Sequence, residues 1–396
     1  MKNKLNTSSL FSYSLSFLKL KYTLSLISLL GIFGVCIFAS EVATGQINYS
    51  ITKGTENVNI NTINGKLDSS SKKNSDNNRY YNIHQFEGKA GEQIVIELNS
   101  KDFDAYLILR DSKDKNLAED NNSGEENNAR IVITLPSTGT YKIFATHKAR
   151  KSGNYQLSWR AASPEDIELA EAARLNQQVL QLLQEGKYNE AIPLAEKALA
   201  TRQKILVEHP HVVESLNNLA ELYKNQGRYP EAEPLYKQSL QMIKRLLGKQ
   251  HPNVANSLNN LAGLYINQER YSEAEPLYQQ SLRIYKQNFG NEHPLVVNSL
   301  NNLAVLYTNQ ERYKEAEPLF KESLEIRKRL LGKEHPDVAV SLNNLASFYQ
   351  NQGLYPQAEP LYQEFLEIIK RLLGKEHSYV AASLNNLAYL YQSQGR

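Results

Sequence analysis

Five histidines, His209, His251, His293, His335 and His377, stand in one column, each 42 residues from the next. Imidazole is a common metal ligand and the usual acid–base group near neutral pH. Either chemistry gathers its groups within a few ångströms, whereas a full 42-residue unit separates each of these histidines from its neighbour. Four of the five precede proline, whose fixed φ and missing N–H suit the first position of a helix. The column is therefore expected to cap helices and pack loops. A second column is harder to dismiss. The hexapeptide SLNNLA begins at Ser215, Ser257, Ser299, Ser341 and Ser383. Asparagine is a mediocre helix former and costly to bury, so a repeated pair demands compensation, from structural hydrogen bonds or from a ligand. No G-x-S-x-G, H-E-x-x-H, phosphate loop or G-x-G-x-x-G accompanies these columns. The single cysteine, Cys36, lies in an apolar N-terminal segment, which leaves the rest of the chain without a disulfide or thiolate metal site. An enzyme is not expected.

The elements that carry these columns are legible in the spacing. The unit runs from His209 to Gln250, recurs from His251, His293 and His335, and begins again at His377. A degenerate copy precedes them, with Tyr188, Ala191, Pro193, Leu194 and Leu199 matching Tyr229, Ala232, Pro234, Leu235 and Leu240 at an offset of 41. Leu216, Leu219, Ala220 and Tyr223 fall at i, i+3, i+4 and i+7, an apolar stripe on one helix. Ala220 and Ala232 are small, which allows two helices to approach closely. Gly227 stands where the first helix must stop. Glu269 and Glu311 replace it in two units, at a cost of about 1 kcal/mol each if the backbone there is left-handed, with turns expected to be weaker or differently shaped. A fixed period with two helices per unit means a solenoid. The pattern L-x-x-L-A-x-x-Y followed by G-x-Y-x-x-A resembles the tetratricopeptide repeat. The 42-residue unit and its EAEPLY segment are similar to the kinesin-light-chain type of that repeat, over residues 168–396.

On a helical wheel with Leu216 at zero, Asn217 falls at about 100° and Asn225 at about 180°, beside the core stripe, while Asn218 points farther away at about 200°. In the family the chain resembles, the first helices line a concave groove. The resemblance places there Asn217, Asn259, Asn301, Asn343 and Asn385, with Asn225, Asn267, Asn309 and Asn351. Between them the residue varies: Glu221, Gly263, Val305, Ser347, Tyr389. Fixed amides, each offering a donor and an acceptor, suit an extended peptide backbone, and variable neighbours suit local reading of side chains. The competing reading is that the Asn217 column braces one repeat against the next. A further column, Lys244, Lys286, Lys328 and Lys370 with Arg245, Arg329 and Arg371 beside it, complements helix C-termini, or forms a basic ridge for an anionic partner.

From Arg79 to Arg160 the periodicity is two: YYNIHQFEG, EQIVIELNS, DAYLILRDS, ARIVITLPS, TYKIFATH and NYQLSWR alternate apolar with polar, and Gly, Asp, Asn, Ser and Pro mark the joins. Short strands with polar turns indicate a small antiparallel sandwich, with INGKL (Ile63–Leu67) as a short first strand, DSSSKKNSDNN as a solvated linker and Trp159 closing the core. The segments FEGKAGEQIVIEL, DFDAYLILRD, NLAEDNN, LPSTGTYKIFA and SGNYQLSW resemble the bacterial pre-peptidase C-terminal domain over residues 46–160. The resemblance implies a non-catalytic, jelly-roll-like module used in folding, adhesion or attachment. Some members bind calcium, which makes Asp102, Asp104, Glu119 and Asp120 the candidate ligands. A hard cation wants six or more oxygens. The alternative is that these carboxylates end a loop and solvate a turn, with no cofactor at all.

Lys2, Lys4, Lys19 and Lys21 precede an uncharged run from Thr23 to Ala39. Such a flank and run describe an export signal, at the short limit for a membrane span. Residues 1–45 are expected to engage the membrane during export, either removed as a signal or kept as an anchor. The remainder would then lie in the periplasm, in the envelope or outside the cell. A net charge of +3 over 396 residues points to no nucleic acid, and 41% hydrophobic residues suit a repeat array. The expected architecture is an all-β jelly-roll-like sandwich (46–160, partly linker to residue 78) followed by an all-α solenoid of helix pairs in a right-handed superhelix (161–396), with about five repeats and a terminal half-repeat. The expected function is a protein- or peptide-binding scaffold. Two alternatives stay open: envelope adhesion through the sandwich, or the truncated regulatory part of a larger repeat-containing enzyme.

Overall fold

The structure is a computed structural model that describes residues 60–73, 79–121, 128–147 and 152–395. The N-terminal run 1–45 therefore lies outside the described residues. The chain divides into two compact units: one takes the described residues up to Leu175 with Ala200–Leu206, the other Asn176–Leu199 and everything from Val207.

The first unit is built on nine strands: β1 (Asn61–Leu67), β2 (Lys72–Lys73), β3 (Tyr80–Gly88), β4 (Gln93–Asn99), β5 (Ala105–Arg110), β6 (Asn116–Asp120), β7 (Ala129–Thr134), β8 (Gly139–His147) and β9 (Gly153–Ala161). They form two antiparallel sheets, ordered β1-β9-β4-β7 and β2-β3-β8-β5-β6. The alternating residues of the strands meet between the sheets. Leu67, Ile96, Leu98, Leu107, Leu109, Ile143 and Leu157 are fully enclosed there. Trp159 packs against this core, its ring 6.0 Å from that of Phe86.

Two strands escape the pattern. β2 sits within the lysine-bearing linker, and β6 is NLAED, placed by the sequence in a turn. Both are sheet edges held by backbone pairing on one side, and neither buries a side chain fully. Alternation therefore does not reveal them.

Ser163 and Asp166 open the first helix. The Asp166 amide donates to Ser163 Oγ at 3.2 Å and the Ser163 amide to Asp166 Oδ2 at 2.8 Å, a reciprocal cap. Arg130 and Arg160 both pair with this carboxylate. Burial pushes its pKa up, but the hydrogen bonds from Arg160 and Ser163 and the nearby charges outweigh that and hold it below the ordinary value.

The helices are α1 (Pro164–Gln184), α2 (Tyr188–Leu206), α3 (Pro210–Asn225), α4 (Tyr229–Leu247), α5 (Pro252–Asn267), α6 (Tyr271–Phe289), α7 (Pro294–Asn309), α8 (Tyr313–Leu331), α9 (Pro336–Asn351), α10 (Tyr355–Leu373) and α11 (Ser378–Ser393). The apolar stripe is buried as the spacing requires: Leu216, Ala220 and Ala232 are fully enclosed, as are Ala262, Ala304 and Ala346. None of the described helices is long and apolar enough to cross a membrane.

The turn within each pair is left-handed at the glycine column, with φ of 72° at Gly227 and 73° at Gly353. Glu269 and Glu311 adopt the same conformation at 57° and 60°. The turns keep one shape. The Arg228 and Arg270 amides both donate to the carbonyl five residues back at 2.8 Å, so the substitution leaves strain rather than altered geometry. Replacing Glu269 or Glu311 by glycine should raise the denaturant midpoint, each by an increment on the order of 1 kcal/mol. An unchanged or lower midpoint in both variants would show that the strain is absent.

Candidate binding face

The histidines lie at the helix starts that the sequence indicates, His377 included although serine follows it. Each is the N-cap of a first helix, its Nδ1 accepting from the backbone N–H two residues on, at 3.1 Å for His209, His251 and His335 and 3.2 Å for His293 and His377. An accepting Nδ1 must be unprotonated, so the caps require neutral imidazole. Burial pushes the pKa of His251 below the ordinary value.

The asparagine pair holds the stack together. The second member of the pair donates its Nδ2 to the first member of the preceding repeat: Asn344 to Asn301 Oδ1 at 3.0 Å and Asn386 to Asn343 Oδ1 at 2.9 Å. The same bond forms three positions earlier in the array, where Asn218 donates to Asn176 at 2.9 Å. Asn217 instead accepts from Ser239 Oγ of its own repeat at 2.8 Å. Asn176 has no SLNNLA around it, but the offset of 41 that aligns the degenerate repeat also lands it in the Asn217 column. A wheel drawn for one helix places Asn218 away from the core because it omits the preceding repeat, whose first helix supplies its partner. The rung at Asn259 is different: its Oδ1 is buried and has no hydrogen-bond partner among the described residues. Asn385 is exposed. Asn267, Asn309 and Asn351 close their helices in exposed positions, and Asn225 is half-buried.

A second inter-repeat device joins tyrosine, glutamate and arginine. Tyr265 OH donates to Glu233 Oε1 at 3.1 Å, Arg270 reaches Glu233 Oε2 at 2.6 Å, and the guanidinium lies 4.1 Å from the Tyr265 ring centre. Arg312, Tyr307 and Glu275 repeat the arrangement. Arg270 holds the Glu233 carboxyl down at about 2. In the fourth repeat Tyr349 still donates to Glu317 at 2.8 Å, but Leu354 stands where the arginine was. The basic columns are likewise paired across repeats: Arg245 with Glu208 at 2.8 Å, Arg329 with Glu292 at 3.0 Å, and Arg371 with Glu334.

The variable position between the asparagine columns faces the second helix of its own repeat. Glu221 accepts from Tyr236 OH at 2.7 Å and pairs with Lys224 at 2.6 Å. Ser347 lies 2.9 Å from Tyr362 OH.

In the first unit, Asp102 Oδ2 accepts from the Asn154 amide at 2.7 Å. Glu119 accepts from Tyr106 OH at 2.9 Å, and Asp120 from the Arg130 amide at 2.9 Å. Asp104 immediately precedes β5. Glu119 and Asp120 thus lie on an edge strand rather than in a turn. Among the described residues no group of three or more His, Cys, Asp or Glu side chains is arranged to hold a metal ion.

A family model described as the tetratricopeptide repeat matches residues 170–245, 211–287, 254–329, 295–347 and 337–396. The bacterial pre-peptidase C-terminal domain matches residues 80–145. Among solved structures, the chain is similar to BtubC (BKLC) from P. vanneervenii, at 25% identity over 59% of this chain and 85% of that one, with a TM-score of 0.43. It is similar to a putative kinesin light chain with nearly identical TPR-like repeats from Podosopora anserina, at 28% identity over 51% and 96%, with a TM-score of 0.45. Aspartyl phosphate phosphatase F from Bacillus subtilis matches at 14% identity over 58% and 56%, with a TM-score of 0.49. No curated protein matches the chain.

Two outcomes follow from this geometry. Asn301→Ala leaves Asn344 without its acceptor and should cost about 1–2 kcal/mol, as should Asn344→Ala, with the double variant clearly less than additive; full additivity in a double-mutant cycle would deny the rung. Thermal stability should also depend on pH in two windows. His251 titrates lower in the folded chain than its ordinary 6.5, so its cap contributes fully above that value and is lost as pH falls through the lowered one. The Glu233 contribution is present above 4.5 and is lost as pH falls towards about 2. His251→Asn, which caps without titrating, should flatten the upper window in melting curves; an unaltered pH profile would contradict the assignment.

Proposed function

The chain belongs to the tetratricopeptide repeat family, and on that ground we propose that it is a non-catalytic scaffold that binds protein through an extended peptide segment laid across its first helices. The observation that supports this reading is the division of labour among the asparagines. Asn217, Asn301 and Asn343 spend an amide oxygen inside the stack. Asn267, Asn309 and Asn351 stand exposed at one position of successive helices. A row of amides with free donors and acceptors, at a fixed interval, matches the alternating groups of an extended backbone. Gly263, Val305 and Ser347, half-buried beside that row, supply the variation by which one partner segment is told from another. The uncharged run Thr23–Ala39 behind its lysines supports placing the scaffold beyond the cytoplasmic membrane, where the pre-peptidase C-terminal-like unit would accompany it.

An array of blocked nonapeptides probed with the full chain tests the reading. The wild type should capture a subset, and the Asn267→Ala, Asn309→Ala, Asn351→Ala variant should lose most of that capture at an unchanged melting temperature. Equal capture by both proteins would sink the assignment of this face. Fusion of a reporter active only outside the cytoplasm, placed after residue 395, tests the location; an inactive reporter on a full-length, stable fusion would refute it.

A further inference from the structure

The second helices carry lysines in one column, Lys244, Lys286, Lys328 and Lys370. For two of them the next repeat supplies the counter-ion: Lys286 pairs with Glu322 at 3.6 Å and Lys328 with Glu364 at 3.2 Å. Each glutamate lies 36 residues beyond its lysine, and the same register brings Gln280 to Lys244. A glutamine cannot neutralise an ammonium. Two further columns lose their acids in the same part of the array. Gln241 and Arg283 stand where Glu325 and Glu367 follow, and Gln250 interrupts a column otherwise filled by Glu208, Glu292, Glu334 and Glu376. The stretches Pro234–Lys249 and Pro276–Asn291 contain no acid at all, whereas the matching Pro318–Lys333 and Pro360–Lys375 contain two glutamates each.

Some cations of the acid-free stretches are engaged elsewhere: Lys237 pairs with Glu233 and Arg245 with Glu208. Lys244, Lys249 and Arg283 have no ion pair and no side-chain hydrogen bond among the described residues. Lys244 is half-buried. Burial pulls its ammonium below the ordinary pKa, and Lys249 pushes the same way. The fold thus keeps a partly desolvated cation near a second one, an arrangement that an anion from outside would relieve. Arg283 lies one turn beyond Gln280 on the same side of α6. It is exposed, at a shallow concavity of about 490 Å³ that Gln279, Leu282, Lys286 and Gln287 also line. Leu282 is only half-buried there, while Leu240, Leu324 and Leu366 of the same column are buried.

We propose that the second-helix face of the first two repeats docks an acidic protein segment. One carboxylate takes the place at Lys244 that Glu322 and Glu364 take at the next two lysines, a second meets Arg283, and an apolar side chain of the segment covers Leu282. A carboxylate is the group that the chain itself sets against this lysine column twice. The patch is also short, because Glu322 and Glu325 end it at the third repeat. A bilayer or a nucleic acid presents a long array of phosphates and would meet those glutamates with like charge; a short acidic segment stops before them. The face belongs to the second helices and the exposed asparagines to the first, so the inference goes beyond peptide capture by the asparagines and does not depend on it.

The test uses the full chain and fluorescent blocked nonapeptides of one host sequence, each with a leucine between two glutamates at varied spacing, and follows binding by anisotropy. The same peptides with glutamine for glutamate are the reference. At low salt at least one glutamate peptide should bind about fivefold or more tighter than its glutamine twin, and the difference should shrink at about 0.5 M NaCl. The Gln280→Glu, Arg283→Glu variant copies Glu322 and Glu325 of the third repeat, so it keeps side chains the fold already uses at these places. It should erase the difference at an unchanged or raised melting temperature, and Arg283→Gln alone, at an exposed position, should reduce it. Lys333→Glu, Lys375→Ala lowers the net charge by the same amount in the column of Lys249 and should leave the difference intact. Twins that bind alike, a difference that survives in the first variant, or one lost equally in the Lys333 and Lys375 variant overturns the site. Capture of phosphatidylserine vesicles or duplex DNA without a preference for glutamate peptides overturns it as well. Each of these results leaves the Asn267, Asn309 and Asn351 face standing, since capture there should be the same in all these variants.

Discussion

A buried amide has to be answered by another polar group, because transfer from water without a partner costs roughly 1–3 kcal/mol. In this solenoid the answering group comes mostly from the next repeat. Asn218 reaches back to Asn176, Asn344 to Asn301 and Asn386 to Asn343. Neighbouring helix pairs are thereby held in register by hydrogen bonds as well as by the alanine and leucine packing beneath them. The apolar contacts tolerate small slides; an amide-to-amide bond, which needs its donor and acceptor within about 3.5 Å, does not. In the second and third repeats a tyrosine–glutamate–arginine clamp adds a further inter-repeat tie near the C-terminal end of the first helix.

The repeats are alike where they carry the stack and differ where they do not. His335 caps its helix as His209 does, and Gly353 turns as Gly227 does. Glu269 and Glu311 show how firmly that turn is imposed: a non-glycine residue accepts the left-handed backbone rather than reshaping it. Variation gathers instead at the position shared by Glu221, Gly263, Val305 and Ser347, together with the facing Tyr236, Tyr278, Phe320 and Tyr362. The changes there are paired, so that a carboxylate meets a hydroxyl in one repeat and valine meets phenylalanine in another. The glycine of the second repeat is the one that leaves its hydroxyl unanswered.

Much of the chain was legible before any coordinates. The period of 42, the stripe of Leu216, Leu219, Ala220 and Tyr223, and the proline after four of the five histidines require helix pairs with capped starts. The strict alternation of YYNIHQFEG and QIVIELN requires strands. These patterns are local, and each is set by whether one face of one element is wet or dry. The strands β2 and β6 were not legible, since β2 is two exposed lysines and no residue of β6 is fully buried, so neither carries an apolar alternation.

What the sequence by itself determined was the class of each element, the existence of the columns and the absence of the usual catalytic motifs. What only the tertiary structure decided was which members of a column are engaged. The first and second asparagines of SLNNLA differ by one position and about 100° on a helix, and nothing in that angle says that the second would donate to the first of the repeat before it. Nor does composition show that Ser239 closes on Asn217 while Ser281, in the same column, is left unpaired beside Asn259. Hydrogen-bond partnership depends on distances between residues some 20 to 40 places apart, and such distances exist only once the helices have packed.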